Sequence, residues 1–195
     1  LKDALWINTA EVAGEAGKDD DGNGYVDDVY GYNFVENKGI MSPDDHGTHV
    51  AGIVAAVNGN GIGVSSVAGG SGKGDGVRLM CCQVFEGIYS DGDRGMSEAL
   101  MYAADNGACI VQCSYGYPAG TFECDDAFID NASLEYRALK YFTNPKNCNH
   151  PSLEANIAIF AAGNESASIS GYPGALPMCI SVTAFGPDFL PAGYT

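Results

Sequence analysis

Positive charge is scarce in this sequence. Nine Lys and Arg stand against 25 Asp and Glu in 195 residues, a formal net charge of -16. Such a chain repels nucleic acid and anionic membrane surfaces, so neither is an expected partner. Long apolar runs are missing too. No stretch approaches the roughly 20 residues that cross a bilayer as a helix, so no membrane span is expected. There is no initiating Met and no signal-peptide pattern, which suits a piece excised from a longer precursor. No Cys-x-x-Cys occurs, which removes the usual thiolate metal and redox motifs. The Gly-rich stretch from Gly69 to Gly74 fails as a phosphate loop, because Val67 stands at the first Gly position and Gly74 follows Lys73. A dinucleotide fingerprint at a strand-to-helix turn is absent as well.

What is present suits one compact α/β domain over residues 1–195. Hydrophobic residues make up 46% and there are 27 glycines, enough for a core and many tight turns. The acidic surface fits a secreted or cell-surface, calcium-binding protein, and nearly as well an ordinary solubility charge. Seven cysteines are an odd number, so at least one lacks an internal disulfide partner. Cys81, Cys82, Cys109, Cys113 and Cys179 lie in strand-like apolar runs and read as buried free thiols. Cys124 and Cys148 lie in polar loop sequence and are the best pair for a bridge.

Strand-like and helical segments alternate along the chain. Strands are expected at 29–34, 77–85, 109–115, 156–161 and 178–185. Helices are expected from Asp45 onward, over 97–106 with Ser97 as cap and Gly107 as stop, and over 132–142 before Asn144-Pro145. Residues 118–130 read as loop. Alternation of this kind predicts an α/β fold with three layers, a mainly parallel sheet covered by helices on both faces.

Asp19 to Asp28 is dense in hard oxygen donors. Asp19, Asp21 and Asn23 have the 1, 3, 5 spacing of an EF-hand-type loop. Gly24 stands at the turn, Tyr25 offers a carbonyl at position 7, and Asp27 falls at 9. Tyr30 occupies position 12, where the bidentate Glu would be, so Asp28 or a distant residue must complete a shell. The segment reads as a solvated acidic turn or as a Ca²⁺ loop. Mutual repulsion of so many carboxylates favours the cation.

The segment from Asp45 to Ala56 starts polar and continues small and apolar at helical spacing. Gly47, Ala51, Gly52, Ala55 and Ala56 would let this helix pack close and hold His46 rigidly at its N-terminal end, as a general base requires. His46 and His49 also form a His-x-x-His pair. The zinc motif His-Glu-x-x-His is absent, so zinc is not expected.

His46-Gly47-Thr48-His49-Val50-Ala51-Gly52 resembles the histidine motif of the subtilisin-like serine proteases, or subtilases. Phe160-Ala161-Ala162-Gly163-Asn164 resembles that family's oxyanion segment. The resemblance implies that His46 is the catalytic base and that Asn164 donates to the oxyanion, both on one edge of a parallel sheet. It implies substrate-binding walls at Ser114, Tyr115 and Gly116 and at Ala161, Ala162 and Gly163, with Gly171 as floor. Asp91 to Gly95 would form an outer edge, and Tyr172-Pro173 a cis bond. The aspartate-rich insertion has counterparts in related subtilases. Asn58 to Val64 resembles a second calcium loop, with Asn60 and the carbonyls of Ile62 and Val64 as donors, and reads equally as a Gly-rich turn.

The family's Asp-Thr-Gly or Asp-Ser-Gly and its Gly-Thr-Ser do not occur in the sequence. The resemblance implies that they lie outside this piece, which alone would retain little hydrolysis. A protein or peptide is the expected substrate, and a propeptide a possible further partner in the precursor. The contrasting expectation is a non-catalytic, calcium-dependent binding module on the same scaffold.

Overall fold

The computed structural model describes residues 1–86, 89–90 and 92–195, the side chains of 89, 90, 92 and 93 excepted. The chain forms two compact units, Leu1–Gly95 and Met96–Thr195.

In the first unit, α1 (Thr9–Ala13) starts where the Asn8 side chain accepts from the Ala10 amide. β1 (Gly31–Asn33) pairs in parallel with β2 (Cys81–Gln83), Gly31 opposite Cys81 and Asn33 opposite Gln83. A parallel bridge from Leu5 to Leu79 carries the pairing toward the start of the chain. Tyr25, Tyr32 and Phe34 meet edge to face, with ring centroids 4.9 to 5.7 Å apart, and form the aromatic part of the core. α2 (Asp45–Ala55) is capped by Asp44, whose carboxylate accepts from the Gly47 amide at 2.7 Å. The loop after it returns to the helix end: Ser66 Oγ donates to the Ala56 carbonyl, and the Val67 and Ala68 amides donate to those of Ile53 and Val54. Helix-end carbonyls are satisfied in this way. β3 (Phe85–Glu86) and β4 (Tyr89–Ser90) pair antiparallel.

The second unit carries a three-stranded parallel sheet of β5 (Ile110–Cys113), β6 (Ile157–Ala161) and β7 (Cys179–Val182), with β6 central. Ala158 and Phe160 on alternate positions of β6 enter the core. α3 (Gly92–Asp105) crosses the boundary between the units in sequence, and Gly107, at φ 89°, ends it in a conformation that costs glycine least. α4 (Asp125–Asn131) and α5 (Ser133–Phe142) follow. Glu135, Ala138, Leu139 and Phe142 form the buried stripe of α5 at helical spacing. Glu135 is fully buried and lies near Cys113 and Cys179. Burial, with the carboxylate adding to it, pushes both thiols up to about 12.

Several expectations need correction. Ser97 is inside α3 and not its cap, because the helix begins at Gly92. Residues 118–130 contain α4, whose Phe128 is fully buried and stacks on Tyr172 at 5.1 Å. A polar sequence with one aromatic anchor reads as loop until that contact exists. Cys124 and Cys148 are both free. Cys124 is exposed ahead of α4, whereas the Cys148 thiol contacts the carbonyls of His150 and Leu153. The expected strands are shorter than the apolar runs that announced them. Asp91 of the expected outer edge lies outside the described residues, and Gly92 opens α3.

Candidate active site

In the first unit, His46 occupies the first turn of α2, one residue past Asp45, and is exposed. The close packing expected of this helix is not what the structure has. Ala55 alone of its residues is fully buried, and a Cβ added at Gly52 would meet nothing within 4 Å. The small residues leave an open surface, so the position of His46 rests on the Asp44 cap and the returning loop at the other end.

The acidic loop is more selective than its spacing suggested. Asp19 accepts from the amides of Gly22, Asn23 and Gly24, and the Gly24 bond holds its carboxyl below the usual range. Asp27 turns its carboxylate onto the Gly17 amide. The Tyr25 amide donates to Asn23 Oδ1. Asp21 and Asp28 converge instead with Glu11, one oxygen from each lying within 4.8 Å of the others. Glu11 is 7% exposed and Asp28 fully buried. Asn8 Nδ2 bridges Asp21 and Asp28 at 2.9 and 2.8 Å, and Asn23 Nδ2 does the same at 3.2 and 3.1 Å.

Three converging carboxylates, two of them buried and held by neutral N–H groups, fit a hard divalent cation by donor chemistry. Asn8 and Glu11 were missed from the sequence. Their spacing is that of a capping box, the one signal that pointed to them. Glu11 does not close that box; it reaches across to the Asp20 and Asp27 amides. In the loop after α2, Asn60 Oδ1 accepts from the Ile62 amide.

The second unit gathers the expected substrate-binding segments. β6 runs into Ala162 and Gly163, and Asn164 follows, exposed, beyond the strand's C-terminal end. The Ala162 amide donates to Val182 of β7, and its carbonyl accepts from Gly171 at 2.9 Å. The Tyr117 amide donates to the Tyr172 carbonyl at 2.7 Å. Residues 114–117, 161–164 and 171–172 are thereby joined. Gly171 has no room for a side chain, since a Cβ there would collide with the Tyr117 carbonyl. The Tyr172–Pro173 bond is cis, as the resemblance implied. Tyr172 Oη donates to Asp125 at 2.7 Å, and Tyr115 packs edge-on against Phe160. Glu165 was not singled out from the sequence. Its carboxylate accepts from the Asn164 amide at 3.0 Å and from that of Ala119 at 3.5 Å, and so ties residues 164–165 to the 118–120 turn.

The profile of the Subtilase family matches residues 7–189. Subtilisin-like protease 1 of Plasmodium falciparum is 36% identical over 156 residues, 77% of this chain and 21% of that protein. Thermitase of Thermoactinomyces vulgaris is 27% identical over 157 residues, 80% of this chain and 47% of that protein. Among solved structures, the prenylagaramide maturation protease PagA superposes with a TM-score of 0.59 at 22% identity, covering 77% of this chain and 46% of that one. MycP1 with its N-terminal propeptide removed gives 0.59 at 20% identity, covering 84% and 53%. This chain thus spans about a fifth of the Plasmodium relative's length and about half of either solved chain.

Proposed function

The chain belongs to the subtilase family, and from that premise we propose that it is part of a serine endopeptidase acting on proteins or peptides. His46 is the general base. It takes the proton of a serine hydroxyl as that oxygen attacks the scissile carbonyl carbon, then returns it to the leaving amine. Asn164 donates its side-chain amide to the oxyanion that develops, and the walls at 114–116 and 161–163 with Gly171 hold the substrate. The serine belongs to a Gly-Thr-Ser motif that this sequence does not contain. The observation that carries the reading is that Tyr117 is hydrogen-bonded to Tyr172 and Gly171 to Ala162, which brings the three expected binding segments together, with Asn164 exposed two residues beyond Ala162.

Calcium belongs to the same reading. Glu11, Asp21 and Asp28 would hold Ca²⁺, with Asn8 and Asn23 beside them. The ion would supply the positive charge that lets this loop fold. A secreted or cell-surface location would keep calcium available to it.

The test is peptide-nitroanilide hydrolysis by the full-length product of the reading frame. Asn164→Gly should lower turnover on the order of 10²–10³-fold, and His46→Ala on the order of 10⁶-fold, magnitudes taken over from subtilisin. Rates unchanged in both variants would overturn the assignment. Calcium-dependent peptide binding without any hydrolysis would favour the non-catalytic module.

A further inference from the structure

The carboxylate of Glu165 sits on the peptide that precedes Asn164. Its Oε2 accepts from the Asn164 amide at 3.0 Å and from the Ala119 amide at 3.5 Å. A Cβ built on Gly163 would come within 2.5 Å of the same oxygen, so the carboxylate lies directly against Gly163. Gly163 has φ 116°, a conformation that glycine alone adopts at little cost, and it has no side chain to restrain it. Anchors lie on either side of this pivot. The Ala162 amide donates to Val182 and its carbonyl accepts from Gly171, while the Ser166 amide donates to the Tyr194 carbonyl. The turn that Glu165 reaches is held as well. The Thr121 amide and hydroxyl donate to the Pro118 carbonyl, and the Tyr117 amide donates to Tyr172. Glu165 thus links the pivot to a fixed turn.

We propose that Glu165 is a positioning residue for Asn164, which it aims by fixing the peptide between Gly163 and Asn164. The inference rests on the reading of Asn164 as the oxyanion donor. Such a donor contributes only when it is aimed before the charge develops, and a misplacement of about 1 Å costs up to about 10²-fold in rate. Glu165 is exposed, so it holds that aim from the surface and not through the core. It acts through Asn164 and touches no reacting atom.

Peptide-nitroanilide kinetics of the full-length product test it. Glu165→Ala should lower kcat about tenfold and leave KM unchanged. Glu165→Gln should restore most of the rate, because both bonds fall on one oxygen and an amide carbonyl accepts two donors. In an Asn164→Gly background, Glu165→Ala should cost less than about twofold, since no side chain is left to aim. Three results would overturn the proposal while Asn164→Gly keeps its own loss: an unchanged kcat in Glu165→Ala, no rescue by Gln, or equal losses in both backgrounds. So would a KM that follows substrate charge in both Glu165 variants, which would make Glu165 a substrate contact. If Asn164→Gly itself leaves kcat unchanged, the oxyanion reading falls and the positioning role falls with it.

Discussion

Replacing Asp21 by Asn should invert in its effect on stability with calcium. One oxygen each of Asp21, Glu11 and Asp28 lies within 4.8 Å of the others. Unit charges 4.8 Å apart repel by about 3.5 kcal/mol at an effective dielectric of about 20, and by about 0.9 kcal/mol in water. Asp21 is exposed, so its two pairs lie near the water limit and sum to about 2 kcal/mol. The amide removes that repulsion. It also weakens the hydrogen bonds that Asp21 accepts from Asn8 and Asn23, at a cost of about 1 kcal/mol.

In chelator the variant should therefore be more stable than the parent by about 1 kcal/mol, or about 2–4 °C in Tm. Calcium at a hundred times its Kd adds about 2.7 kcal/mol to the parent. Losing one of three carboxylates weakens binding on the order of 100-fold and leaves the variant about 0.4 kcal/mol of that gain. With calcium the variant should thus fall below the parent by about 1 kcal/mol. Thermal melts followed by circular dichroism, in EGTA and in calcium, read both signs. Raised salt should shrink the gain in EGTA. A parent whose Tm ignores calcium, or a variant less stable than the parent in EGTA, would refute the cation site.

Gly171→Ala should cost about 1–3 kcal/mol in a urea titration, because the added methyl collides with the Tyr117 carbonyl; a neutral result would mean that the 117–119 turn yields freely. Burial, and then the bond to Asp125, push the Tyr172 hydroxyl up to about 12. The native chain keeps a proton that the unfolded chain loses near pH 10, so this contribution is complete below about pH 10 and is lost as pH rises toward about 12. Tyr172→Phe should flatten that decline in melts across the interval, and parallel curves would contradict the assignment. In native iodoacetamide labelling followed by mass spectrometry, exposed Cys124 should react first and Cys113 only after unfolding, since burial keeps its thiol protonated. Equal rates would place Cys113 outside the core.

Short-range order was legible in the chain. Asp44 caps the helix that begins at Asp45, Gly107 and Asn144-Pro145 stop theirs, and the apolar runs around Val111, Ile159 and Ile180 became strands. His46 and Asn164 were named from motifs whose residues are neighbours in sequence. Caps, turns and periodicity act within a few residues, so a linear reading contains all of their terms.

Convergence through space has no such local term. Asp19 and Asp27 had the spacing of ligands and went to backbone amides, while Glu11, outside the loop, came to Asp21 and Asp28. Cys124 and Cys148 looked like a pair and remained free, because pairing needs proximity that spacing does not encode. α4 exists where its one aromatic, Phe128, can stack on Tyr172, more than forty residues on. Sequence by itself determined the family, the alternation of the main strands and helices, and which chemical groups are available. The tertiary structure decided which of them meet, because that depends on chain reversals and burial summed over distant segments.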